Sequence, residues 1–274
     1  MPEAALADFL RSRAEGDLLP WAAQVEGAAR SGAGLAEVEL AALRAGLLPA
    51  RYRRNRSTLT VEDQLRLHLS RVGIVGCGGL GGYLVEELAR LGVGTLVLVD
   101  PDVFEEHNLN RQLLSTPARL GAAKVEVARD RVAEVNPAAT VVAHREALSA
   151  ANGARLLAGC SAVADGLDSV RVRRELAAVC RGLGVPLVHG AIAGWYGQVA
   201  VQLPGADLSP LLRETPGGKG IETALGNPAF TPAVVASLQV AEVAKLLLGR
   251  GKALAGRVLH LDLLEMRFEE LPLG

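Results

Sequence analysis

Short apolar bursts alternate with amphipathic stretches through the middle of the chain. RVGIV ending at Val75 and TLVLV before Asp100 are two such bursts, each bounded by turn residues, and both read as strands. Between them a run of glycines opens a helix-forming segment. A second helix is predicted over 122–135, stopping at Asn136-Pro137 because the residue before proline is pushed out of helical geometry. Further strands are predicted at 140–143, 162–164 and 186–189, with helical segments near 150–158 and 169–182. This alternation implies right-handed crossovers and a parallel sheet covered on both faces, with any ligand at the carboxyl ends of the strands.

The two ends of the chain break the rhythm. Residues 3–46 read as two or three short helices, with Gly46 placed to end the last and Leu19 and Trp21 flanking Pro20 as anchors to the main body. Past Gly197, GQVAVQL alternates as a strand, and 204–228 is a Gly- and Pro-rich loop of a length that is usually functional or mobile. PAVVASLQVAEVAKLLLGR reads as a helix with one polar stripe, Gln239, Glu242 and Lys245. Such a helix is buried nearly all round, in the core or against a second subunit. VLHLDLLEMRFEELPL supplies one or two closing strands. The expected division is a helical extension over 1–48 and an α/β domain over 49–274.

A chain of 274 residues with a hydrophobic fraction of 50 % can bury roughly three quarters of its unfolded surface and is not disordered. Its net charge of −1 gives no overall pull toward nucleic acid or an anionic membrane, which favours a small or locally charged ligand. The N-terminus carries early acidic residues and no sustained apolar core, unlike a secretory signal. Apolar stretches are broken by charge or glycine short of a membrane span, so a cytoplasmic protein is expected. Cys77, Cys160 and Cys180 are odd in number and far apart, as suits reduced thiols, and none belongs to a C-x-x-C pair.

The glycines of GCGGLGG, from Gly76 to Gly82, join strand to helix. Such a turn offers backbone N–H groups and the positive end of a helix dipole to a phosphate. Asp100, 24 positions after Gly76, closes the next strand where a carboxylate takes ribose hydroxyls. Turns of this form serve dehydrogenases, flavoproteins and ATP users alike, so its companions decide more. They are Asn108, Arg111 and Gln112 in HNLNRQLL, Lys124 in GAAKVE, and Asp168 in ADGLDSV. Two extra cations exceed the needs of a dinucleotide's pyrophosphate. They suit a triphosphate attacked by a carboxylate, where like charges meet and charge builds on the leaving group. Asp168 fits a magnesium ligand, since Mg²⁺ takes one or two carboxylates plus phosphate oxygens; its alternative is to cap the helix beginning near Ser169. The basic arm Arg51-Tyr52-Arg53-Arg54-Asn55-Arg56 reads as a solvated loop, a nucleic-acid contact or an arm over a phosphate. Thr60 is placed to cap the helix after it.

RYRRN, GCGGLG, Asp100-Pro101-Asp102, NLNRQ, the G-x-x-K at Lys124, the Asp168 loop and GAIAGWYGQV follow one another over about residues 51–270. In that order they resemble the ThiF/MoeB/HesA family, bacterial relatives of ubiquitin-activating enzymes. The resemblance implies a Rossmann-like α/β fold, a mostly parallel sheet with helices on both faces and antiparallel C-terminal strands, to which the small N-terminal helical extension is added outside the resemblance. It also implies an adenylyltransferase using ATP and Mg²⁺. The C-terminal glycine carboxylate of a small ubiquitin-like sulfur-carrier protein ending in Gly-Gly attacks the α-phosphorus and pyrophosphate leaves, as in molybdopterin, tungstopterin or thiamine synthesis. By the same resemblance Gly76, Gly78, Gly79 and Gly81 hold the nucleotide and Asp100 its ribose, with Asp102 and Gln112 also on the nucleotide. Asn108, Arg111 and Lys124 face the phosphates, Asp168 holds magnesium, and Arg54 reaches the triphosphate from the other subunit of a homodimer. Arg173 matches a common family arginine and is read as structural first.

Many family members hold zinc with two C-x-x-C pairs after the GQ strand, and some carry a sulfur-transfer cysteine in the long loop. This chain has no cysteine beyond Cys180, so zinc is not expected, nor a thioester or persulfide in that loop; with the sequence ending at Gly274, a sulfurtransferase domain is not expected either. Cys77 reads as a small filler in the glycine turn. Ser169 stands where asparagine is more usual and matches the branch that dehydrates threonylcarbamoyladenosine in transfer RNA, the nearest alternative. RYRRN and GAIAGWYGQV fit the carrier activators better. Two further alternatives are an NAD-dependent oxidoreductase, for which no hydride-transfer acid–base pair is evident, and a non-catalytic carrier-binding scaffold, against which Arg111, Lys124 and Asp168 speak.

Overall fold

The computed structural model describes residues 2–212 and 222–273. Three helices open the chain: α1 (Glu3–Ser12), α2 (Trp21–Ser31) and α3 (Leu35–Arg44). Strand β1 (Leu18–Leu19) pairs in parallel with β2 (Leu48–Pro49). Gly46, at φ 80°, occupies the left-handed conformation that ends α3, as glycine does without steric cost. Leu6, Leu10, Leu19, Val38 and Leu47 form a cluster of their own. Of the two predicted anchors only Leu19 is buried. Trp21 is 46 % exposed, because as the first residue of α2 it turns outward, where the Arg51 guanidinium lies 5.1 Å from its ring centre. A 3-10 turn over Ala50–Asn55 leads to α4 (Val61–Leu69). Its cap Thr60 accepts the Asp63 N–H at 3.1 Å while Asp63 accepts the Thr60 N–H at 2.8 Å, a reciprocal box.

The remainder runs β3 (Arg71–Val75), α5 (Gly79–Leu91), β4 (Thr95–Val99), α6 (Lys124–Val135), β5 (Thr140–His144), α7 (Gly153–Leu156), β6 (Ala162–Asp165), α8 (Val170–Leu183) and β7 (Leu187–Ala193). After these come β8 (Tyr196–Gln202), α9 (Glu222–Leu225), α10 (Phe230–Leu248), β9 (Arg257–Asp262) and β10 (Arg267–Pro272). They build one sheet of order β10-β9-β8-β7-β6-β3-β4-β5. The five strands from β7 to β5 are parallel and the other three antiparallel, as expected for this fold class.

Side chains alternate across the sheet. Val72, Ile74, Leu96 and Leu98 enter one core with α5, α6 and α10, whereas Val75, Val97, Val99 and Val163 enter a second with α7 and α8. Both faces are therefore dry, which is why these strands read as unbroken apolar runs. Val75 lies level with Val99 on one side and Asp165 on the other. The chain winds from β3 through β4 to β5, then returns past β3 to start β6. Such a reversal opens a crevice at the carboxyl ends of the strands.

Helix α10 corrects two expectations, that it is buried nearly all round and that no apolar stretch is long enough for a membrane span. Its polar stripe faces inward: Gln239 and Glu242 are buried, Gln239 donating to the carbonyls of Asp165 and Val188 and Glu242 accepting from the Leu254 N–H. The helix is also long and apolar enough to cross a membrane by length and composition, contrary to the expectation that no stretch would be, although half of it is buried within the protein. Its outer side, with Ser237 and Ala241, is open. Residues 213–221 of the Gly- and Pro-rich run over 204–228 lie outside the described residues.

Candidate nucleotide site

At the crevice three backbones meet at distances only glycine permits. A Cβ on Gly76 would stand 2.6 Å from the Gly166 carbonyl oxygen, one on Gly166 2.5 Å from the Gly76 oxygen, and one on Gly81 1.8 Å from that same oxygen. Gly76 also has φ +90°, a conformation costly for any other residue. Gly78 and Gly79 differ. The nearest atom to a Cβ there would be Gln112 Nε2 at 3.3 Å for the first and Pro232 Cβ at 3.8 Å for the second, and both line the cavity. The start of α5 is therefore open to an anion. Cys77 points inward and is fully buried. Burial, reinforced by the nearby Asp100 carboxylate, pushes its thiol well above the usual range, as befits a filler.

Asp100 is 4 % exposed. One carboxylate oxygen accepts the Cys77 N–H at 2.6 Å and the other the Asp102 N–H at 2.8 Å. Burial raises its pKa, and these N–H groups with Lys124 oppose the rise. Each oxygen keeps a lone pair for a ribose hydroxyl. The strand end thus fixes the acid that the glycine turn needs.

The cavity holds about 470 Å³, within the range of small-molecule sites. It gathers Gly76, Gly78, Gly79, Asp100, Asp102, Arg111, Gln112, Lys124 and Asp168. Lys124, the first residue of α6, is 7 % exposed and its Nζ lies 3.1 Å from Asp102 Oδ2. Arg111 is steadied by donating to the His107 carbonyl at 3.0 Å and to Asn110 Oδ1 at 2.8 Å. Gln112 Oε1 is buried without a partner, an acceptor free for a ligand's donor. Asp168 is exposed at the rim, and no hydrogen bond or ion pair engages it among the described residues. Ser169, not Asp168, is the N-cap of α8, so the capping alternative for Asp168 does not hold.

Three predicted residues stand apart. Gly81 packs beneath the turn and does not line the cavity. Asn108 is buried, its Oδ1 accepting the Glu105 N–H at 3.0 Å, so it shapes the short turn that carries Arg111. Arg54 is exposed and outside the cavity of its own chain.

Beneath the site lies a buried polar cluster that sequence reasoning passed over, save for Arg173. His189 Nδ1 is 2.7 Å from Asp165 Oδ2 and Gln198 Nε2 is 3.3 Å from His189 Nε2. The other Asp165 oxygen accepts the Leu167 N–H at 2.9 Å. Arg173 donates to the carbonyls of Leu167 and Gly190, faces Asp165 at 3.5 Å, and also lines the cavity. These bonds fix the loop that presents Asp168. Replacing His189 by Phe would leave Asp165 Oδ2 with the Arg173 charge at 3.5 Å but no hydrogen bond, and the expected loss is about 1–3 kcal/mol of stability, seen as a lower urea midpoint at constant m-value. Gly166, Arg171, Ala147 and Leu148 also line the cavity. Gly166 was legible as a glycine after a strand end, whereas the others carry no signature in sequence.

A doubly wound sheet with a glycine turn, a strand-end acid and cations around one crevice defines a phosphate-handling, nucleotide-binding domain. The chain belongs to the ThiF family, matched over residues 52–274. It is 39 % identical over 214 residues to the SAMP-activating enzyme E1 of Haloferax volcanii, a match spanning 77 % of this chain and 79 % of that protein. It is 37 % identical over 216 residues to the molybdopterin-synthase adenylyltransferase of Escherichia coli, spanning 77 % and 86 %. The Escherichia coli tRNA N6-threonylcarbamoyladenosine dehydratase, solved in complex with ATP, shares the fold with a TM-score of 0.62 at 24 % identity, over 73 % of this chain and 94 % of that one.

Proposed function

We propose that the protein adenylates the C-terminal glycine of a small ubiquitin-like sulfur-carrier protein, using ATP. One observation carries this reading: Arg111 and Lys124 share the cavity with the glycine turn and the unengaged Asp168. That is more positive charge than a dinucleotide's pyrophosphate requires and suits a triphosphate whose leaving group gains charge. The relatives at 37–39 % identity, which are named as a SAMP activator and a molybdopterin-synthase adenylyltransferase, support the substrate class.

In this reaction a carrier carboxylate oxygen bonds to the α-phosphorus as the bond from that phosphorus to the pyrophosphate oxygen breaks. The start of α5 and the N–H groups of the glycine turn hold phosphate oxygens, Asp100 the ribose, and Lys124 and Arg111 the departing charge. Among the described residues no cluster of three or more His, Cys, Asp or Glu surrounds a metal site. A magnesium ion would therefore take Asp168 as protein ligand and phosphate and water for the rest, and would screen the phosphates while bound. Arg54, outside its own cavity, would serve a second copy's site in a homodimer. Ser169 favours a second reading, the transfer-RNA dehydratase branch, which shares the adenylation step.

The test is exchange of labelled pyrophosphate into ATP. Exchange that depends on a Gly-Gly-tailed carrier is the expected outcome. Exchange or AMP release that depends instead on threonylcarbamoyladenosine-bearing transfer RNA would select the second reading. Firm NADH binding with no exchange for any acceptor would remove both.

A further inference from the structure

We infer that the N-terminal helical unit is a clamp on the arginine arm, with Glu39 as the positioning residue that fixes how Arg53 and Arg54 are presented to a second copy's phosphate site. The inference rests on the proposed role of Arg54 across a dimer. It assigns a purpose to residues 1–48, which the adenylation chemistry leaves without one.

The arm's arginines divide into two kinds. Arg51 and Arg56, near its ends, are tied to the helical unit; Arg53 and Arg54, between them, are exposed, and their side chains have no hydrogen-bond or ion-pair partner among the described residues. Arg56 pairs with Asp17. Arg51 donates to Glu39 at 2.6 Å, to Asn136 Oδ1 at 2.7 Å and to Gln24 Oε1 at 2.7 Å. Glu39 itself is fully buried and also accepts the Tyr52 hydroxyl at 2.9 Å. With one guanidinium nitrogen on Glu39 and Asn136 and the other on Gln24, the fork of Arg51 ties three elements together, and breaking it would leave the Glu39 charge buried without its cation.

The same joint reaches the back of the nucleotide site. Asn136, just past the last residue of α6, donates to the Tyr52 hydroxyl at 2.9 Å and to the Ala89 carbonyl of α5 at 2.8 Å. Helices α5 and α6 carry the glycine turn and Lys124 at their opposite ends. One hydrogen-bonded cluster thus holds the arm and the far ends of both phosphate-facing helices in a single register. An arm that only decorated the surface would need no such anchorage.

Subunit mixing separates this inference from its premise. Glu39→Gln is expected to lower kcat for pyrophosphate exchange about tenfold by loosening the arm, with KM for ATP little changed. Mixed with Lys124→Ala and allowed to exchange subunits, it should recover about a quarter of wild-type activity. Half of the dimers are then hybrid, and each hybrid has one intact site served by an intact arm. Arg54→Ala mixed with Lys124→Ala should recover the same amount. Recovery with Arg54→Ala but not with Glu39→Gln overturns the clamp and leaves the trans arginine standing. Recovery with neither overturns both. Should Glu39→Gln fail to fold, Arg51→Lys takes its place, because it keeps a positive charge beside Glu39 but lacks the fork.

Discussion

Lys124→Ala is expected to slow carrier-dependent pyrophosphate exchange by at least about a hundredfold, the scale set by removing a single charge-stabilising donor from an acyl- or phosphoryl-transfer site. The fold should tolerate it. Alanine is the strongest helix former, the abandoned partner Asp102 has a side chain 62 % exposed, so its carboxylate stays solvated, and the buried Asp100 loses a nearby cation but keeps its two backbone N–H donors. Loss confined to kcat would place the lysine on charge that develops in the transition state. A rise in KM for ATP with kcat intact would instead place it on ground-state binding. Exchange near the wild-type rate would remove Lys124 from the chemistry and, with it, the main reason for reading the cavity as a triphosphate site.

That reason was legible in sequence because it rests on spacing along single elements. Lys124 opens a helix, Asp100 closes a strand and the glycines join the preceding strand to its helix, so each position follows from local pattern once the parallel sheet is inferred. Asp165, His189 and Gln198 were not legible. Each comes from a different element, and nothing local marks an apolar strand such as β7 as carrying a buried histidine whose partner lies 24 residues away. Gln239 was visible in sequence as part of a polar stripe, but its partners were not. A polar stripe on a helix ordinarily faces water, yet here it turns inward to satisfy the carbonyls of Asp165 and Val188 at the end of the parallel sheet. By the family resemblance Gly81 was expected to hold the nucleotide along with Gly76, Gly78 and Gly79. Which glycines face a ligand and which face backbone depends on how tightly the following helix packs, and the motif alone does not carry that.

Two alanine substitutions two residues apart should therefore have opposite signatures. Gly81→Ala would place a methyl 1.8 Å from the Gly76 oxygen, with backbone on both sides of the contact and no flexible side chain to yield. The turn must open, at a cost of about 3 kcal/mol, or roughly 6–12 °C in Tm, and ATP binding falls as a consequence of the broken turn. Gly79→Ala meets nothing closer than 3.8 Å and gains helix propensity at the first position of α5, so its Tm should hold or rise slightly. Its methyl occupies the side of the turn where phosphate oxygens approach the backbone, and ATP affinity should fall about a hundredfold without loss of fold. Thermal melts and ATP titrations on both variants decide the matter. If Gly79→Ala binds ATP normally, the phosphates do not rest on the start of α5, and if Gly81→Ala melts with the wild type, the close packing of Gly76 against that helix is not what holds the turn.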